Sequence, residues 1–338
     1  MTSLNAEDWT IAAIAARVPH PPSPAGPGDD AAIVTAAGGV VALTTDLLIE
    51  ETHFLAAHPP EALGWKSLMV NLSDVAAMGA VATGFCLGLG LPRRWPGSLR
   101  RRWVEGFADG LGAAARQADV MLVGGDTVRA DAGVVIAITA WGSTGARLLR
   151  RDAARPGDEV WVLGQVGRAG EGLRRWLADA RTRSASLEAG EVPPTWEAAA
   201  ATALLADPCL RAHLRPEPAL TAGKSAAERG ATAAMDLSDG LARDLPRLAE
   251  ASAVTLAIDL ARLPDDLTLR QLTPAARATG GEDYGLLVTA PVSCHAAIAE
   301  LGFTAIGTVG PRDADGVLVR WSCNGAAIAP PCPDFEHF

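Results

Sequence analysis

The chain has 338 residues, 49% of them apolar, and a formal net charge of -10. It is long enough for two domains with sizeable cores, and its charge has the wrong sign for holding nucleic acid through Lys and Arg. The five cysteines (Cys86, Cys209, Cys294, Cys323, Cys332) never form a Cys-x-x-Cys pair, which argues against a disulfide framework or a zinc site and suits a reducing compartment.

No apolar run is long and charge-free enough to span a bilayer, and Glu7 and Asp8 stand where an export or transit peptide would be basic. A soluble, cytoplasmic protein with no membrane partner is expected. A first helix is predicted from about Ala6, stopped by the breaker-rich stretch at 20–28 with Pro21, Pro22, Pro24 and Pro27. That stretch delivers Gly28-Asp29-Asp30 to a short strand at 31–34. A Gly38-Gly39 turn joins it to a second strand at 40–45, ending in Asp46. Residues 61–78 read as a helix, with Leu63, Leu68, Leu72, Val75 and Ala76 as apolar positions and Gly79 as a left-handed cap.

A helix at 98–117 follows, then a strand at 120–123 that stops at Gly124-Gly125-Asp126-Thr127, and a buried strand at 134–141. The polar segment 147–158, with the Pro156-Gly157-Asp158 turn, marks a domain boundary. Beyond it we expect a strand at 159–163, a helix at 171–180, a surface loop at 181–194 and a strand at 231–235. The last leads into Asp236-Leu237-Ser238-Asp239-Gly240 and a helix at 241–251 opened by a Ser/Asp cap. Gly280-Gly281-Glu282-Asp283 then turns into a strand at 284–289.

Asp30, Asp46, Asp126, Asp236 and Asp239 all fall where a short apolar strand meets a small-residue turn, and Asp74 lies on a helix among small residues. If these junctions converge, mutual repulsion raises some of the carboxyl pKa values unless cations intervene. Mg²⁺ suits such a set, because it takes oxygen ligands and shares them with substrate phosphates; the scarcity of nearby His and Cys argues against zinc. Each motif alone also has a plainer reading: Gly28-Asp29-Asp30 and Gly124-Gly125-Asp126 as turns, Asp74 as a solvated helix residue, Ser238 and Asp239 as a helix cap, and His53 as a core or surface histidine. Gly223-Lys224-Ser225 is not a P-loop, since Pro218 replaces the first glycine. The glycines at 164, 167, 170 and 172 do not give Gly-x-Gly-x-x-Gly, which leaves a dinucleotide fold as a weak alternative.

The ordered set is specific where single motifs are not. Gly28-Asp29-Asp30-Ala31-Ala32, Thr44-Thr45-Asp46 with His53-Phe54-Leu55, Asn71-Leu72-Ser73-Asp74-Val75-Ala76-Ala77-Met78-Gly79-Ala80, Gly124-Gly125-Asp126-Thr127, Asp236-Leu237-Ser238-Asp239-Gly240-Leu241, Gly280-Gly281-Glu282-Asp283-Tyr284 and the terminal His337-Phe338 together resemble the thiamine-monophosphate kinases. These belong to a wider ATP-binding superfamily that includes aminoimidazole ribonucleotide synthetase and selenophosphate synthetase.

The resemblance implies an α+β chain of two domains, 1–148 and 149–338. The first carries a mixed sheet whose domain forms a homodimer; the second is layered α-β-α; there is no P-loop. It implies direct transfer of the γ-phosphoryl group of ATP to thiamine monophosphate, giving thiamine diphosphate and ADP without a covalent phospho-enzyme, so that no side chain is a catalytic nucleophile. Asp30, Thr44, Thr45, Asp46, Asp74, Asp126, Asp236 and Asp239 would hold Mg²⁺; Gly125, Asp126, Arg151 and Ser238 would contact ATP; His53 and Glu282 would contact the thiamine substrate. Many relatives carry an aromatic residue a few positions before the C-terminal His-Phe, where this chain has Cys332, with Phe335 three residues on. A sister enzyme of the superfamily would keep the ATP-metal carboxylates and differ at His53 and Glu282; a non-catalytic scaffold would tolerate loss of the acidic set.

Overall fold

The computed structural model describes residues 29–36, 39–131, 133–145, 147–179 and 192–332. The expected first helix, the breaker-rich stretch before Asp29, most of the 181–194 loop and the Phe335 to Phe338 terminus lie outside the described residues.

Strands β1 (Ala32–Ala36) and β2 (Gly39–Ile49) form a hairpin, and helix α1 (Pro60–Ala77) leads on to β3 (Ala80–Pro92). Helix α2 (Gly97–Ala118), β4 (Met121–Ala130) and β5 (Val135–Thr144) complete the first half. The sheet order is β1-β2-β5-β3-β4. Only the β3–β4 pair is parallel, as its helical crossover through α2 requires.

The second half carries β6 (Asp158–Leu163), α3 (Arg168–Ala178), α4 (Ala198–Ala206), α5 (Pro208–Leu214), α6 (Ala222–Glu228), β7 (Ala233–Asp236), α7 (Leu241–Ala251) and β8 (Val254–Asp259). Helix α8 (Pro274–Thr279), β9 (Leu286–Pro291), α9 (His295–Ala299), β10 (Thr304–Pro311), β11 (Val319–Cys323) and β12 (Ala326–Ala327) follow. Its seven strands run β12-β11-β8-β10-β6-β9-β7. The period-2 alternation of a strand puts Val160 and Val162 of β6 into one core with Leu241, Leu245 and Leu248 of α7. Trp161, between them, joins a second core with Ala226 of α6 and Ile298 of α9. Helices therefore cover both faces of this sheet, the α-β-α layering that was expected.

The expected helices at 61–78 and 98–117 and the helix at 241–251 form with ends within a residue or so of those expected, and Gly79 does take a left-handed φ of 69°. Several details differ. β2 continues to Ile49, which puts Asp46 inside the strand, and β4 runs on through Gly124, Gly125 and Asp126, pairing with β3. The expected stop at Gly124 fails because a partner strand supplies the ladder, and glycine in a strand weakens it without ending it. Helix α7 begins after Gly240 with no side-chain cap; instead Asp244 accepts the Asp239 N–H at 3.1 Å.

Candidate active site

Helix α1 is the hub. Nearly every residue from Pro60 to Ala77 is buried, as expected of a helix that packs on all sides. A buried polar group must then find a partner, and those on α1 reach into both halves of the chain. Asn71 Oδ1 accepts the backbone N–H of Asp46 on β2 at 3.1 Å. Asp74 Oδ2 accepts from Thr44 Oγ1 at 2.7 Å. Ser73 Oγ donates to Asp236 Oδ2 at the end of β7 at 2.8 Å. The Asn71-Leu72-Ser73-Asp74 motif thus holds two sheets at one point, and Asp74 is not a solvated helix residue.

Around that point one carboxylate oxygen from each of Asp30, Asp74 and Asp236 lies within 4.8 Å of the others. Burial is the main force on their protonation. It pushes Asp74 well above the usual carboxylate range, and repulsion from Asp236, Asp46 and Asp30 adds to it. Asp236 is pushed up in the same way by burial and then by Asp30. Burial alone raises Asp46 to about 6, while Asp30 is raised by burial against the opposing pull of Arg151. Asp30 Oδ2 is buried and has no hydrogen-bond donor among the described residues. An all-oxygen cluster that repels itself and includes an orphaned acceptor fits a hard divalent cation such as Mg²⁺.

Arg151, which follows β5, is committed within this cluster: its guanidinium lies 3.2 Å from Asp29 and 2.5 Å from Asp30, with the side chain 17% exposed. Asp29, raised to about 6 by burial and then by Asp30, is a site residue that spacing alone did not single out, although it sits in the quoted motif. Asp239 pairs with Arg247 at 2.5 Å outside the three-carboxylate group. Asp244 and Arg247, on the next turn of α7, were also missed; they reveal themselves only as a helix face.

Two expected residues sit elsewhere. Thr45 alternates with Thr44 and Asp46 along β2, so its side chain points to the opposite face, where Oγ1 lies 2.7 Å from Thr139 Oγ1. Asp126 is on exposed β4 and accepts from its neighbour Thr127 at 2.8 Å. It pairs with Gly88, Gly88 with Ala137 and Ala137 with Leu47. It therefore stands three strands from β2, roughly 14 Å at ordinary strand spacing. Gly125 beside it admits no side chain, since a Cβ would meet the Leu87 carbonyl oxygen at 2.1 Å. Gly223-Lys224-Ser225 lies inside α6, with Lys224 paired to Glu228 at 2.5 Å on the surface, which agrees with rejecting a P-loop.

Beside the carboxylates lies a cavity of about 260 Å³, lined on the first-half side by His53, Phe54 and Leu55, and on the other by Trp176, Ser238 and Glu282. His53 Nδ1 accepts the Ile49 N–H at 3.1 Å, leaving the proton of a neutral ring on Nε2. The Glu282 N–H donates to Ser238 O at 2.7 Å, and the Tyr284 N–H to Leu237 O at 2.8 Å. These bonds dock the 280–285 turn against the Asp236–Asp239 loop. Both Glu282 (φ 65°) and Tyr284 (φ 47°) take a left-handed backbone, a cost the surrounding contacts must offset. Burial would push Glu282 up, but Lys66 and then His213 outweigh it and hold the carboxylate far below its usual range.

Comparison with known proteins supports the same grouping. The AIR synthase related protein family matches through its N-terminal domain over residues 28–144 and its C-terminal domain over residues 155–320. A thiamine-monophosphate kinase of Escherichia coli (strain K12) is 34% identical over 331 residues, covering 93% of this chain and 91% of that protein. Its Bacillus subtilis (strain 168) counterpart is 31% identical over 307 residues, covering 87% and 88%. The solved structure of AaThiL complexed with AMPPCP and TMP superposes with a TM-score of 0.72 at 32% identity, covering 89% of this chain and 90% of that one. Among the described residues no helix is long and apolar enough to cross a membrane.

Proposed function

We propose that this chain, which belongs to the thiamine-monophosphate kinase family of phosphotransferases, moves the γ-phosphoryl group of ATP directly onto the phosphate of thiamine monophosphate. An oxygen of the substrate phosphate bonds to the γ-phosphorus as the bond to the β-γ bridging oxygen breaks, giving thiamine diphosphate and ADP. The nucleophile is ionised at neutral pH and needs no strong general base, so no covalent phospho-enzyme forms. The observation that carries the reading is the convergence of Asp30, Asp74 and Asp236 near a cavity that Ser238 and Glu282 help to line.

Bound Mg²⁺ would supply charge neutralisation between the two anionic reactants. Asp30, Asp46, Asp74 and Asp236, with Thr44, are the residues to hold it. Asp239, paired with Arg247 through one oxygen, and Thr45, through its main chain, are further candidates. Arg151 and Ser238 are assigned to ATP; Arg151 would exchange a carboxylate partner for a phosphate oxygen. His53 and Glu282 are assigned to the organic part of the thiamine substrate, among the apolar walls.

The domain boundary is proposed at 148/149, between the two sheets. A homodimer through the first domain is proposed on the exposed apolar side chains of β4, Met121, Leu122, Val123 and Val128, with a second copy of the chain as their cover. The distance of Asp126 from the carboxylates of its own chain favours the same arrangement, in which this strand approaches another protomer.

The test is thiamine diphosphate formation from ATP and thiamine monophosphate with Mg²⁺, against EDTA and against Asp74→Asn. Product that needs the metal and disappears with the substitution supports the reading. Metal-dependent ATP binding with no thiamine diphosphate would keep the superfamily and reject the acceptor.

A further inference from the structure

Lys66 is one of only two lysines in the chain, and its side chain, on α1, is 0% exposed. Its ammonium donates to Glu282 Oε1 at 2.8 Å and to the carbonyl of His213 at 3.0 Å. His213 Nδ1 lies 2.7 Å from the other oxygen, Oε2, although burial and then Lys66 push its imidazole toward the neutral form. Both oxygens of one carboxylate are therefore flanked from behind. The His213 end is itself fixed from α1 and the segment before it: Trp65 Nε1 donates to Pro216 O at 2.6 Å, and His58 Nε2 lies 3.0 Å from Leu214 O. Two side chains of the first half thus meet carbonyls that the last turn of α5 leaves over, and a third meets the carbonyl of Pro216 just beyond it.

Fold stability does not account for this arrangement. A buried ion pair is usually no better than well-packed apolar residues of similar size, and α1 is otherwise built of apolar and small side chains that pack without it. What the pair does accomplish is local. Glu282 sits on a left-handed backbone with its side chain 26% exposed, facing a cavity whose walls include Phe54, Leu55, Leu173 and Trp176. Lys66 does not line that cavity, so it acts through the carboxylate.

We propose that Lys66 is a positioning residue for substrate recognition: it holds Glu282 ionised and in one orientation at the wall of the apolar cavity, ready to pair with the charge of a flat, cationic, nitrogen-bearing ring. The aromatic walls suit the same ligand, because a delocalised cation is attracted to an aromatic face. The desolvation and orientation of the carboxylate are met when the chain folds, so they do not count against binding. The inference rests on the reading that thiamine monophosphate, whose thiazolium is such a ring, is the acceptor.

Steady-state kinetics on the full chain test it. Lys66→Met should raise KM for thiamine monophosphate about tenfold or more, with KM for ATP within twofold and kcat within about threefold. Lys66→Arg, which keeps the cation, should recover most of the loss. Equal loss for both substrates, or an unchanged KM for thiamine monophosphate, would make Lys66 a purely structural residue and overturn the proposal. If Lys66→Met does not fold, as its circular dichroism would show, the double variant Lys66→Met/Glu282→Gln strands no charge and replaces it. Its KM for thiamine monophosphate should equal that of Glu282→Gln alone, and a further rise would place the effect of Lys66 elsewhere and defeat the idea. Should the unsubstituted chain form no thiamine diphosphate at all, the acceptor assignment fails first, an outcome distinct from these.

Discussion

Ser73 Oγ donates a 2.8 Å hydrogen bond to Asp236 Oδ2, joining the central helix of the first half to the last residue of β7 in the second. A hydroxyl that donates to a carboxylate stabilises its charged form, and here it works against burial, which drives Asp236 toward protonation. Ser73→Ala removes the donor and leaves the acceptor buried. We expect a stability loss of about 1–2 kcal/mol in chemical denaturation and a higher Mg²⁺ concentration for half-maximal turnover. A variant with unchanged metal dependence would show that this bond aligns the halves without tuning the site.

That bond also shows where sequence reading succeeds and where it stops. The Asn71 to Gly79 segment was legible as a helix with a glycine cap, and its ordered partners elsewhere were legible as a family pattern. The partners themselves were not, because Asn71, Ser73 and Asp74 reach β2 and β7 through contacts between residues far apart in the chain. Lys66 stands out in the sequence only as one of two lysines; its partner Glu282 is 216 positions away and no local pattern points to it. Strands such as β3, β8, β10 and β11 went unmarked. In β3, for example, Gly84, Gly88 and Gly90 give no strand signal, and only pairing with β4 and β5 makes the segment extended. The Gly-Gly before Asp126 reads locally as the end of a strand, whereas pairing with β3 keeps the segment extended.

Arg151 bridges Asp29 and Asp30 and so restrains the repulsion between two buried acids, and it is also the residue we assign to the ATP phosphates. Arg151→Gln should raise KM for ATP tenfold or more while leaving KM for thiamine monophosphate within about threefold. It should also lower stability without metal, since it strands two carboxylates, and Mg²⁺ should recover part of that loss. Isothermal titration with a non-hydrolysable ATP analogue, run beside thermal melts, separates the two effects. Equal ATP affinity in the variant would remove Arg151 from the nucleotide site.

Asp74 stands among Asp236, Asp46 and Asp30, and each of them raises its pKa. Asp74→Asn keeps the shape and removes one charge from the crowd. Turnover should fall at least a hundredfold, because metal-bridged charge neutralisation is the main catalytic device in phosphoryl transfer. The metal-free fold should be as stable as before or more so, since repulsion is relieved. Mg²⁺ should raise the melting temperature of the unsubstituted chain and move that of the variant much less. A large loss of stability without metal would instead mean that the Thr44 hydrogen bond to Asp74 matters more to the fold than the charge does.

The same cluster sets a pH dependence whose sign runs opposite to ordinary acid denaturation. Asp46 rises from 3.8 to about 6 on folding through burial, and Asp29 rises to about 6 through burial and the neighbouring Asp30. Between the unfolded and folded values the native state holds more protons than the unfolded one, so stability falls as pH rises from about 4 to 6 and stays reduced above. A shift of about two units is worth roughly 3 kcal/mol for one such group. Glu282 has the opposite sign, since Lys66 and His213 hold it below its usual value of 4.5. Its contribution is lost only as pH falls below that value, outside the interval from pH 5 to 8 over which stability is compared. Urea midpoints in EDTA should therefore be higher near pH 5 than near pH 8, and saturating Mg²⁺ should narrow or reverse the difference by favouring the ionised carboxylates. His58 and His213, buried as neutral rings with pKa values lowered from 6.5, pull the other way below that pH. Stability without metal that rises from pH 5 to 8 would therefore mean that the raised carboxyls do not outweigh them, and the electrostatic case for a divalent ion would weaken with it.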